Sequence, residues 1–109
     1  MIKINLFYQQ NKIQTFEIKG HSNFMFINHD IICAAVTGIF QGMLNAITIV
    51  MAKSSEDFFL QLDAKKGYGL FRIDNLDNQE LNLIAKILYY QLKTVAVQYP
   101  KFVIIKKII

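Results

Sequence analysis

From Ile31 to Ala52 the chain carries no charged residue, and this stretch constrains the fold more than any other feature. A run of that length must be buried against protein or placed in lipid. Its apolar residues Val36, Phe40, Met43, Ile47, Val50 and Met51 follow helical spacing. Gly38 and Gly42 stand at the separation used by paired membrane helices. Thr37, Gln41, Asn45 and Thr48 oppose a lipid environment, because each would need a polar partner there. The segments on either side also have apolar faces to cover, so the expectation is a central core helix and no membrane.

Those flanking segments read as hairpins. Residues 2–8 alternate apolar and polar, with Ile2, Ile4 and Leu6 on one face. Residues 12–19 alternate less regularly through Ile13, Phe16 and Ile18, with Gln9, Gln10 and Asn11 between the two runs. A second hairpin is predicted over 57–63 and 68–73, turning at Ala64-Lys65-Lys66-Gly67. Asp30 is a good N-cap for the uncharged helix, and Lys53 suits its C-terminal end. Asp77 and Glu80 resemble a capping box for a second helix with the stripe Leu81, Ile84, Leu88 and Val95, ended by Pro100. Residues 101–107 complete a ββαββαβ order. The expected class is α+β, a single domain over 1–109 with a mixed sheet packed by two helices.

Composition adds two limits. The chain is 53% hydrophobic and 18% charged, an apolar excess that suggests a second buried surface, most simply between two copies of the chain. The formal net charge of +4 permits nucleic-acid binding, but the lysines are scattered along the sequence and Arg72 is the one arginine. A dedicated binder concentrates its cations on one stripe, so the expectation is no direct nucleic-acid contact. A single cysteine excludes an intramolecular disulfide and suits a reducing compartment. Polar residues interrupt Met1-Ile2-Lys3-Ile4-Asn5, which does not read as a secretory signal. The expected location is the cytoplasm.

The chemically informative segment runs from Gly20 to Gly38. With Asp30 as N-cap, Cys33 falls in the first helical turn, where the dipole and unpaired N–H groups favour a thiolate. Both histidines of the chain, His21 and His29, lie within twelve residues of Cys33. His21 follows Gly20 at the end of a predicted strand, a rigid platform from which the loop can fold back to the helix start. His29 stands just before the cap and points more readily to solvent, so His21 is the better base. The same residues also admit a plainer reading. An unpaired cysteine at an apolar helix start is usually core, His21 can bond a backbone carbonyl, and Thr37 can bond a carbonyl one turn back. His21, His29, Asp30 and Cys33 are zinc ligand types, but their spacing matches no common zinc motif.

Gly20-His21, a short loop, and then Asp30-Ile31-Ile32-Cys33-Ala34-Ala35-Val36-Thr37 resemble the signature of the ribosomal-processing cysteine protease family Prp. The ββαββαβ order and Tyr99-Pro100-Lys101-Phe102-Val103 before the last strand resemble that family as well. The resemblance implies that His21 is the base, Cys33 the nucleophile, and Gly20, Asp30 and Thr37 supporting residues. It implies a homodimer that removes the N-terminal extension of large-subunit ribosomal protein twenty-seven, cutting after an aromatic-rich sequence. The alternative is a ribosome-associated binding or assembly factor of the same fold without activity. The chain departs from the family pattern at Asn28, where a Gly is common, and at Thr37, where a Ser is usual.

The expected mechanism needs no metal or organic cofactor. Backbone N–H groups of Cys33 and Ala34 are the candidate oxyanion donors. Ser22, Asn23, Phe24, Met25, Phe26, Ile27, Asn28 and His29 form the expected substrate loop, more apolar than is common.

Overall fold

The computed structural model describes residues 1–20, 27–63 and 66–108, with the backbone alone over 27–30. Strand β1 (Ile2–Gln9) turns into β2 (Lys12–Lys19), followed by helix α1 (Ile27–Val50) and a short 3-10 helix (Ala52–Asp57). The hairpin β3 (Phe58–Asp63) and β4 (Tyr68–Ile73), helix α2 (Gln79–Gln98) and β5 (Val103–Ile108) complete the chain. The expected ββαββαβ order is therefore present.

One five-stranded sheet has the order β3-β4-β2-β1-β5. Neighbours are antiparallel except β1 and β5, which pair in parallel with Ile2 opposite Val103. Ile4 pairs with Ile18, Leu6 with Phe16, and Phe16 with Phe71, so one face of the sheet is continuously apolar. Both helices cover that face: Ile32, Val36, Phe40, Leu44 and Ile47 from α1, and Leu81, Ala85, Leu88, Leu92 and Val95 from α2. Phe16 and Phe71 stack at the centre with ring centroids 6.0 Å apart.

The irregular alternation of β2 has a local cause. Phe7 pairs with Thr15 but Tyr8 pairs with Ile13, which leaves Gln14 as an extra residue in a β-bulge. The bulge flips the strand's phase, so Ile13 and Phe16 both reach the core although three residues apart. The β1–β2 turn uses two left-handed residues, Gln10 at φ 54° and Asn11 at φ 60°. That geometry matches the twist of adjoining strands.

Three boundaries differ from expectation. Helix α1 begins at Ile27, so Asp30 is not its N-cap and Cys33 lies in the second turn rather than the first. No Gly or Pro interrupts Ile27-Asn28-His29, and the helix continues past the acidic residue. At the other end α1 stops at Val50, and Lys53 belongs to the 3-10 helix. Helix α2 is capped by Asn78, whose Oδ1 accepts from the N–H of Leu81 at 3.1 Å, rather than by Asp77. Asparagine there leaves Asp77 free to close the preceding turn, its N–H donating to Asn75 Oδ1.

Ile31–Val50 is long and apolar enough to cross a membrane by length and composition. One side of it is buried on the sheet, and Thr37, Gln41, Asn45 and Thr48 are exposed. Thr48 satisfies its hydroxyl by donating to the carbonyl of Leu44 at 2.9 Å.

Candidate active site

Helix α1 crosses the sheet so that Cys33, Val36, Thr37 and Phe40, residues spaced at one helical turn, meet the ends of four strands. Together with Ile2, Ile18, Gly20, Leu62, Gly67, Tyr68 and Gly69 they enclose a cleft of about 120 Å³. Cys33 is partly exposed and unpaired. The walls are almost wholly apolar, so the cleft accepts a hydrocarbon or aromatic side chain next to the thiol.

Glycine permits the close contacts around this cleft. Gly20 ends β2 at φ +111°, and a Cβ there would stand 2.3 Å from the carbonyl oxygen of Met1. Its N–H donates to the carbonyl of Gly67 at 3.0 Å, tying the end of β2 to the β3–β4 turn. Gly69 lies under Phe40, and a Cβ would meet the ring at 2.6 Å. Gly20→Ala therefore has two costs, a left-handed backbone and a collision with main chain. The expected result is a loss of about 2 kcal/mol or more in urea unfolding, with the cleft disturbed. An unchanged midpoint would show that the strand end moves freely.

Tyr68 lines the cleft, and its hydroxyl donates to Glu17 Oε2 at 3.2 Å. Burial, followed by that hydrogen bond and the carboxylate's charge, raises the phenol above its ordinary value, so it stays protonated. Glu17 also accepts from Asn5 Nδ2 and stands 3.6 Å from Lys19, which fixes the ring from the outer face of the sheet.

The predicted site residues divide into three groups. Gly20, Cys33 and Thr37 line one cleft. His21, Ser22, Asn23, Phe24, Met25 and Phe26 lie outside the described residues, as do the side chains of Ile27, Asn28, His29 and Asp30. The amides of Cys33 and Ala34 are within α1, where N–H groups bond carbonyls four residues back. The unsatisfied donors of this helix belong to its first turn. Oxyanion donation from Cys33 and Ala34 would therefore need the helix start to shift toward Cys33. Among the described residues, no three His, Cys, Asp or Glu side chains cluster closely enough to hold a metal.

Sequence reasoning missed the opposite wall, Leu62, Gly67, Tyr68 and Gly69. The Gly-Tyr-Gly spacing offered a signal, since glycines flanking one aromatic often mark close backbone approach.

Comparison with known proteins places this geometry. The fold matches a Staphylococcus aureus ribosomal processing protease Prp solved with a substrate peptide, at TM-score 0.84 and 23% identity over 99% of this chain and 100% of that one. The same protease with a covalently linked product peptide matches at TM-score 0.83 and 24% identity, again over 99% and 100% of the two chains. A protein of Streptococcus mutans matches at TM-score 0.82 and 21% identity, over 99% of this chain and 94% of that one. No curated protein matches the sequence. The profile of the family described as cysteine protease Prp matches residues 1–104. With nearly the whole length matched and a partly exposed cysteine in an apolar cleft, the chain belongs to the cysteine protease Prp family.

Proposed function

We propose that this protein is a cytoplasmic, homodimeric endopeptidase that removes the N-terminal extension of large-subunit ribosomal protein twenty-seven. One observation carries the reading: Cys33 and Gly20, the residue bonded directly to His21, line the same apolar cleft. That arrangement brings the chain to the cleft wall one residue before the proposed base. The solved relatives described as ribosomal processing proteases support the substrate class.

In the proposed reaction the thiolate of Cys33 attacks the scissile carbonyl while His21 holds the displaced proton. His21 gives that proton to the leaving amine as the C–N bond breaks, and a thioester remains on Cys33. Water, deprotonated by His21, then attacks the thioester and frees the acid. An aromatic or aliphatic side chain of the extension enters the cleft beside Cys33. Exposed apolar residues such as Ile49, Val50, Leu83 and Val97 supply surface for the second copy.

The test is incubation of the purified protein with the ribosomal protein bearing its extension, followed by mass spectrometry. Two products, cut once after the aromatic-rich segment, are expected, and the mature protein should remain untouched. An intact extended protein after prolonged incubation would favour a non-catalytic ribosome-associated role.

A further inference from the structure

At the far end of the sheet from Cys33 the fold gathers four lysines around three tyrosines. Tyr8 and Lys12 flank the β1–β2 turn, Lys86, Tyr89, Tyr90 and Lys93 lie on α2, and Lys107 is on β5. The ammonium of Lys107 lies 5.8 Å from the ring centre of Tyr8 and 5.4 Å from that of Tyr89. Lys93 approaches the same Tyr89 ring at 5.7 Å. Tyr89 and Tyr90 meet edge to face with centroids 5.0 Å apart, and Tyr90 is 63% exposed. A cleft of about 330 Å³ opens between the turn and the helix. It adjoins a second one through Tyr8 and Lys107, and a third through Tyr90, so that they form a groove along the surface.

No carboxylate lines any part of this groove. Among the described residues the only ion pairs are Lys19 with Glu17 and Arg72 with Asp74, so no described carboxylate neutralises any of the four ammonium groups. Lys12 donates to the carbonyl of Leu76 at 3.1 Å, which anchors it at the groove floor without removing its charge. The floor also holds Asn82 Oδ1, the one buried side-chain polar atom without a partner among the described residues.

From this arrangement we infer that the groove binds a single-stranded nucleic-acid segment, with phosphates on the lysines and bases against the tyrosines. A bare anion would use the charge but not the rings, and an acidic peptide has no flat bases to stack. A duplex keeps its bases stacked on one another, out of reach of Tyr90. Charge that tracks a backbone combined with exposed aromatic faces is the physics of single-strand binding. The scatter of lysines along the sequence hid the site, because the turn, the helix and the last strand converge only in the fold. Ile2 lines the cleft of Cys33 and Tyr8 lines this groove, six residues apart on one strand, or about 20 Å. Both sites can be filled at once, and the inference stands independently of peptidase activity.

The test is fluorescence anisotropy of a short labelled oligouridylate with the full chain between about 50 and 200 mM salt. Binding should weaken with salt, at a log–log slope of about −2 to −3 for three or four phosphate contacts. Lys93→Ala with Lys107→Ala should flatten that slope by about 1.4. Tyr90→Ala, at an exposed position, should weaken binding about tenfold and leave the slope unchanged, separating stacking from charge. Circular dichroism checks that each variant is folded. The inference is overturned by absence of binding at the lowest salt, by wild-type affinity in Tyr90→Ala, or by equal affinity for a duplex or for polyglutamate.

Discussion

Replacing Cys33 with alanine is expected to abolish the proposed cleavage of the extended ribosomal protein, with a rate loss of about four orders of magnitude or more. Among the described lining residues the Cys33 sulfur is the atom that forms the proposed covalent bond, so none of them compensates. The change is small for the fold. Cys33 is only partly buried and borders an existing cleft, so its truncation should shift stability by about 1 kcal/mol or less. The pairing of lost turnover with retained stability is what identifies a nucleophile, and it is read by a cleavage assay beside urea unfolding of the same sample. Mass spectrometry of the wild-type protein during turnover should also detect the acyl adduct on Cys33, and Cys33→Ala should carry none. Cleavage at the wild-type rate by Cys33→Ala would remove the thioester from the mechanism.

Replacing His21 with alanine is expected to have the second largest effect, a fall in turnover of about 10²- to 10⁴-fold, the range of a positioned general base. The companion variant His29→Ala should cleave at close to the wild-type rate. The choice between the two histidines rests on the strand end. Gly20 is held by its hydrogen bond to Gly67 and by contact with Met1, so the residue bonded to it starts from a fixed point on the cleft wall. His29 instead belongs to the backbone of α1, one turn before Cys33. Loss of turnover in His29→Ala with activity preserved in His21→Ala would reverse the assignment. His21→Ala should respond to an activated substrate in a graded way. A better leaving group needs less proton donation, so the deficit of His21→Ala should shrink with it.

The position of α1 affects both predictions. Because the helix reaches back to Ile27, the amides of Cys33 and Ala34 are engaged in its own ladder. A tetrahedral oxyanion at Cys33 is then stabilised either by donors outside the helix or after the first turn opens. The backbone of Asp30 lies inside that turn rather than at its cap.

Much of this molecule follows directly from residue order. Period-two patterning in Ile2, Ile4 and Leu6 specifies which face of β1 is buried, because alternate side chains of a strand must point the same way. The helical spacing of Leu81, Leu88 and Val95 does the same for α2. Gly20, Cys33 and Thr37 were legible as one site through the resemblance of Gly20-His21 and Asp30 to Thr37 to the family signature, and all three line one cleft. Other features depend on balances that no local pattern expresses. The bulge at Gln14 depends on a partner strand, and the start of α1 on whether three residues before Asp30 gain more as helix than as loop. The wall of Leu62, Gly67, Tyr68 and Gly69 joins Cys33 only when the β3–β4 hairpin pairs beside β2. The lysine and tyrosine groove joins a turn, a helix and a final strand separated by most of the chain. Sequence alone determined the elements, the buried faces and the candidate nucleophile, since these depend on near neighbours. Tertiary structure decided what stands across from them, because strand pairing and helix docking bring together residues whose sequence separation holds no record of the contact.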